Sequence, residues 1–129
     1  MTETLVGKRI LVVDDGVTTR LYYRAVFEKA GFVVEEAANG LEGLEKALLD
    51  RFDLLIVDVN MPMMDGYEMI ARLRKNETAQ QVPIITISTE AMGSDADRAY
   101  AAGADLYLVK PAAAALLVET ANLMTGVAA

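Results

Sequence analysis

The sequence predicts an α/β fold, a doubly wound parallel sheet with helices on both faces, and three observations carry that expectation. Extended runs alternate with segments of helical period about five times along the chain. Four of the runs are apolar along most of their length, the pattern of strands buried on both faces. Each of these four ends on polar residues of a different kind: 9–13 runs into Asp14 and Asp15, 54–57 into Asp58, 84–87 into Ser88 and Thr89, and 106–109 into Lys110.

The elements follow in order. Residues 9–13 form the first strand, and a helix over 18–30 comes next, with Thr18 as its N-cap and Gly31 as its stop. The second strand, 33–37, carries two glutamates and therefore belongs at a sheet edge; a helix over about 40–50 follows it. The third strand spans 53–57, and its helix starts near Gly66. The fourth spans 83–87 and precedes a helix over about 91–102. Residues 105–109 make the fifth strand and 112–125 the last helix, whose opening run of alanines suits helix propensity. Strands separated by helices of this length imply right-handed parallel crossovers. No linker, repeat or low-complexity tract interrupts the series, so one domain is expected over 1–129, with its core at about 8–126.

Composition narrows the function. A chain of 129 residues can bury a core without staples, and the absence of cysteine removes disulfides and thiolate chemistry. The absence of histidine removes imidazole catalysis and any phosphohistidine within the chain. A net charge of −7 argues against direct nucleic-acid binding, which needs clustered Lys and Arg, but leaves basic protein partners open. No run has the length of a signal peptide or a bilayer span, so the expected setting is cytoplasmic, without membrane insertion.

Ligands of open α/β sheets bind beyond the carboxyl ends of the strands, so the polar strand-end residues converge on one edge. Asp14, Asp15 and Asp58 against Lys110 leave two excess negative charges, which one divalent ion would neutralise. An all-oxygen set favours Mg²⁺.

Asp14–Asp15 at the first strand end, the stretch from Asp58 to Gly66 at the third, Ser88–Thr89–Glu90–Ala91 at the fourth and Tyr107–Leu108–Val109–Lys110–Pro111 at the fifth together resemble the receiver domain of bacterial response regulators, most closely the single-domain CheY-like kind. The resemblance covers essentially the whole chain and implies strand order 2-1-3-4-5 with five helices. It implies a two-component signalling switch, not a classical enzyme, that catalyses its own phosphorylation and dephosphorylation. Asp58 would accept a phosphoryl group as an acyl phosphate, with Lys110, the Ser88 hydroxyl and the backbone N–H of Thr89 neutralising the phosphoryl oxygens. Asp15, Asp58 and the backbone carbonyl of Asn60 would hold Mg²⁺, with Asp14 acting largely through water. Ser88 and Tyr107 would form the switch, and Asn60 and Glu90 would tune the lifetime of the acyl phosphate. The Lys110–Pro111 bond would be cis. The donor would be a sensor histidine kinase or phosphotransfer protein. The effector would be a protein met by the face of the fourth helix, fifth strand and fifth helix.

Three positions depart from the family pattern. Gly16 and Thr89 stand where a bulkier and a smaller residue respectively are usual, so entry to the site is expected to be more open at Gly16 and more hindered at Thr89. Ala112 replaces the aromatic that commonly follows Lys-Pro, and the last helix carries Glu119 as its single charge, which suits an apolar contact and a monomer or weak homodimer. The chain ends soon after that helix, so a stand-alone regulator in chemotaxis or a related phosphorelay is expected. A phosphate sink or relay intermediate without its own effector is an alternative. From another class comes a metal-dependent phosphatase with an aspartyl nucleophile, although the second acid such enzymes use would fall on Asn60. A flavodoxin-like cofactor carrier would want a Gly-rich first loop that is missing.

Overall fold

In the computed structural model, which describes residues 7–77, 81–89 and 93–126, the strands are β1 (Arg9–Val13), β2 (Val33–Ala37), β3 (Leu54–Asp58), β4 (Ile84–Ser88) and β5 (Leu106–Val109). The helices are α1 (Val17–Lys29), α2 (Gly40–Leu49), α3 (Gly66–Arg74), α4 (Gly93–Ala102) and α5 (Ala114–Thr125). All strand pairs are parallel and the order is β2-β1-β3-β4-β5, as expected, with the glutamate-bearing β2 at an edge.

Side chains alternate across the sheet and build two cores. Leu11, Val13, Leu55, Val57 and Ile84 face α2, α3 and α4, meeting Leu44, Met69, Ile70, Leu73 and Ala99. Ile10, Val12, Leu54, Ile56, Ile85 and Ile87 face α1 and α5, meeting Tyr23, Phe27, Leu117 and Ala121. This two-sided burial makes the runs apolar, and it also explains how they deliver the polar residues that follow. Val13 is level with Val57, Asp58 with Ile87, and Ser88 with Val109. Asp14 and Asp58 therefore leave the sheet at one height and Lys110 two residues further along, each in step with the α1/α5 side of its strand. Ser88 is in step with Ile84 and Thr86 on the α2–α4 side.

Several boundaries differ from expectation. β3 and β4 take in Asp58 and Ser88 themselves, and α5 begins at Ala114, leaving Ala112 buried in the preceding loop. Thr18 is not the N-cap of α1. The helix starts at Val17 with Gly16 as its cap residue, and no side chain caps it. The cause is the Asp14 carboxylate, which accepts the Gly16 N–H at 2.8 Å and turns the chain into the helix early. Gly31 ends α1 with φ +99°, a conformation that glycine adopts without strain.

From the sequence, glycine at position 66, in the loop after Asp58, reads as a residue suited to strained turn dihedrals. Its role is close approach: a Cβ there would lie 2.6 Å from the carbonyl oxygen of Asp58 and 2.9 Å from Cα of Val59. The left-handed residue of that loop is instead Met63, at φ 68°. Asp65 caps α3 by accepting the Glu68 N–H at 2.9 Å. At the opposite end of the sheet Arg9 ties β1 to Asp50 at 2.8 Å and to the Arg51 carbonyl at 2.8 Å, while also meeting Glu35 and the face of Phe52.

Candidate phosphoacceptor site

Asp14 and Asp58 are only 2% and 4% exposed, whereas Asp15 is exposed. One oxygen from each of the three carboxylates lies within 4.8 Å of the others. Between the two buried groups reaches Lys110, with Nζ 3.2 Å from Oδ1 of Asp58 and 3.4 Å from Oδ2 of Asp14. The Asn60 N–H donates to Oδ1 of Asp58 at 3.3 Å. The Lys110–Pro111 bond is cis.

The electrostatics follow from that crowding. Burial raises the pKa of Asp58 above the ordinary carboxyl value, and the nearby charge of Asp14 raises it further, against the opposing pull of Lys110 and the Asn60 N–H. For Lys110, burial lowers the pKa, but Asp58 and Asp14 together outweigh it, so the ammonium is held above its usual value. Tyr23 of α1 is pushed up by burial and then by Asp14 and Asp58, which keeps its hydroxyl neutral beside them.

A second layer holds the β1 end in place, and sequence reasoning missed it. Arg20 of α1 donates to the Asp14 carbonyl at 2.7 Å and to Glu36 of β2 at 2.9 Å. Arg24, one turn on, donates to Glu36 at 2.7 Å and holds that carboxyl below its usual range. The available signal was the Arg20/Arg24 spacing on a helix beside an acidic edge strand.

The remaining expected residues fall around this centre. Ser88 is fully buried at the end of β4. Thr89 is exposed, and its Oγ1 accepts a hydrogen bond from Nδ2 of Asn60 at 3.1 Å. Tyr107 is half-buried and packs on the α2–α4 core, level with Thr86 and on the same side of the sheet as Ser88. A Cβ at Gly16 would lie 3.3 Å from Oδ1 of Asp14, so a larger residue there would crowd that carboxylate. Glu90 lies outside the described residues.

Residues 10–122 match the sequence profile of the response regulator receiver domain. The chain belongs to that family. Among solved structures, the receiver domain is similar to chemotaxis protein CheY4 of Vibrio cholerae, with TM-score 0.86 and 36% identity over 92% of this chain and 98% of that one. It is also similar to the receiver domain of sensor histidine kinase PA1611 from Pseudomonas aeruginosa, which has a magnesium ion coordinated in its active-site cleft, with TM-score 0.87 and 29% identity over 93% and 98% of the two chains. A gliding motility regulatory protein of Myxococcus xanthus is 38% identical over 102 residues, 79% of this chain and 13% of that protein. The chain spans less than half the length of the curated relatives it matches. Receiver domains are signalling switches of two-component systems that bind Mg²⁺ at an acidic pocket, and Asp14, Asp15 and Asp58 form an acidic cluster at the strand ends here. Among the described residues no helix is long and apolar enough to cross a membrane.

Proposed function

We propose that this receiver takes a phosphoryl group from a sensor histidine kinase or phosphotransfer protein onto Asp58, and that the modified form switches the surface it offers to a partner protein. The observation that carries the reading is the Lys110 ammonium 3.2 Å from the Asp58 carboxylate, inside a cluster of three acids. A buried carboxylate beside a like charge costs free energy to ionise, and a cation relieves that cost.

The donor set fits magnesium: all its side-chain ligands are oxygens, and the charge left over after Lys110 matches a divalent ion. Asp15, Asp58 and the Asn60 carbonyl would hold the ion, with Asp14 through water. When bound, it supplies positive charge to the transferring phosphoryl oxygens. Asp58 is the nucleophile, and Lys110 neutralises charge on the phosphoryl group as it arrives. The Ser88 hydroxyl and the Thr89 N–H donate to its other oxygens.

The readout follows from a new charge of about −1.5 to −2 at the strand ends. Ser88 moves toward the phosphoryl group, and Tyr107, on the same side of the sheet, turns into the space released. The α4–β5–α5 face then changes. Exposed Tyr100, Val109, Leu116 and Leu123 on those three elements support an apolar protein contact there. We read the chain as a single receiver domain working by protein binding, in chemotaxis or a related phosphorelay, in a cytoplasmic setting and as a monomer or weak homodimer. Similarity to a chemotaxis protein over most of both chains supports that choice. A phosphatase reading needs a second acid two residues beyond Asp58, where Asn60 stands with its side chain given to Thr89.

Incubation with acetyl phosphate and Mg²⁺, followed by intact mass measurement, tests the reading. The native protein gains one hydroxylamine-labile phosphoryl group and Asp58→Asn gains none. Equal modification of the variant would show a different acceptor.

A further inference from the structure

Asp15 is the exposed member of the acidic cluster, and among the described residues its carboxylate takes no hydrogen bond or ion pair that would fix its direction. What holds it is the backbone on either side. The peptide before Asp15 is pinned at its carbonyl end, where Nη1 of Arg20 donates to the Asp14 carbonyl oxygen at 2.7 Å. The peptide after it is pinned at its N–H end, where Gly16 donates to Oδ1 of Asp14 at 2.8 Å. Rotating either peptide would carry Asp15 away from Asp14 and Asp58, whose oxygens lie within 4.8 Å of one of its own. Resting on the proposed magnesium site, we infer that Arg20 is a positioning residue for the metal: it holds the Asp14–Asp15 peptide so that the exposed Asp15 carboxylate is already aimed at the site when the ion arrives.

Arg20 grips the loop twice. Its main-chain N–H donates to the Gly16 carbonyl at 3.0 Å, while its guanidinium holds Asp14. The side chain is 13% exposed and is itself held, because Nε donates to Oε1 of Glu36 at 2.9 Å. Glu36 is level with Val12 on the neighbouring strand, and the next residue of β2, Ala37, accepts the Asp14 N–H at 3.1 Å. A planar guanidinium fork can serve a carboxylate and a carbonyl at once, which a single ammonium cannot.

By charge alone an arginine is the wrong neighbour for a cation site, since it repels the metal, and Glu36 offsets only part of that charge. Its benefit must come from geometry. A solvent-exposed carboxylate loses freedom when it binds an ion, and a loop that is already ordered reduces that cost. Charge and positioning therefore predict opposite signs when Arg20 is removed.

The test is calorimetric titration of the metal-free protein with Mg²⁺, with hydrogen exchange of the Gly16 amide measured before any metal is added. Arg20→Met is expected to weaken Mg²⁺ binding by about three- to tenfold and to speed Gly16 exchange. Arg20→Lys keeps the charge, but its ammonium is drawn to the Glu36 carboxylate rather than to the neutral carbonyl, so binding is expected to weaken by at least about twofold. That variant decides the matter if Arg20→Met does not fold. The control is Arg9→Met, which removes a guanidinium tying β1 to Glu35 of β2 and to Asp50 at the opposite end of the sheet. It is expected to lower the thermal midpoint while leaving Mg²⁺ affinity within about twofold of native. Tighter Mg²⁺ binding in Arg20→Met beside native affinity in Arg20→Lys would show that Arg20 acts through its charge and overturn the inference. Equal weakening by Arg9→Met would reduce Arg20 to a general strut and overturn it as well. Normal Mg²⁺ uptake that neither Arg20 variant changes would overturn the positioning role alone, whereas native protein that takes up no Mg²⁺ would overturn the magnesium reading and the inference with it.

Discussion

Lys110 bridges the two buried carboxylates of Asp14 and Asp58, 3.4 Å from one and 3.2 Å from the other, and among the described residues no other cation is seen to pair with either. The lysine offsets the repulsion between two acids that the β1 and β3 strand ends force together, and under the proposed function it also stands where a phosphoryl group on Asp58 would carry its charge.

Removing that cation leaves two buried charges facing each other. Lys110→Met is expected to lower stability by about 1–3 kcal/mol without magnesium, the scale of an uncompensated, partly solvated ion pair. Saturating Mg²⁺ should restore part of the loss, because it supplies the missing positive charge. Urea unfolding with and without Mg²⁺ checks this. Equal stability of the two proteins in the absence of the metal would show that the acids are relieved in some other way.

Asp58 carries a pH signature. Its carboxyl is held above the ordinary value by burial and by Asp14, so the native state binds that proton more tightly than the unfolded chain. Stability from this group is full below the ordinary carboxyl value and is lost as pH rises through the raised native value. Asp58→Asn removes the loss. Without magnesium the variant should melt higher than native protein at pH 7, by about 3–5 °C for each kcal/mol relieved, and the difference should shrink toward acid pH. Thermal melts across pH decide it, and a variant that melts lower than native at pH 7 would reverse the sign of the argument.

Gly66 offers a test that separates packing from propensity. Alanine is the better helix former by about 1 kcal/mol. Yet a Cβ at this position meets the Asp58 carbonyl oxygen at 2.6 Å, and the neighbouring atoms are backbone that cannot swing away. Gly66→Ala is therefore expected to destabilise by about 1–3 kcal/mol and to weaken magnesium binding by displacing the loop that follows Asp58. A neutral or stabilising result in denaturant unfolding would mean that the approach of α3 to β3 is looser than these distances.

The reason so much of the site can be read from sequence lies in the strands. In a parallel sheet covered on both faces the apolar runs are conspicuous, and the first polar residue after each is delivered to the same edge; Asp14, Asp58, Ser88 and Lys110 are all found this way. The residues that escape such reading depend on relations between elements. Arg20 reaches the Asp14 carbonyl only because α1 lies against β2, and the Asn60–Thr89 bridge exists only because Asp58 pairs with Ile87 in register. Thr18 has the composition of a cap but loses to the Asp14 carboxylate, which turns the chain first. Glycine at position 66 reads as a turn residue, and only the packed structure shows that it is there for close contact.

The central claim is that Asp58, assisted by magnesium and Lys110, is the residue that receives the phosphoryl group. The most direct measurement is to treat the native protein with acetyl phosphate in the presence and absence of Mg²⁺, trap the acyl phosphate by borohydride reduction, and locate the modified residue by peptide mass spectrometry. The account predicts reduction at position 58 alone, and only when Mg²⁺ is present. Modification at another residue, or equal modification at Asp58 without the metal, would contradict it.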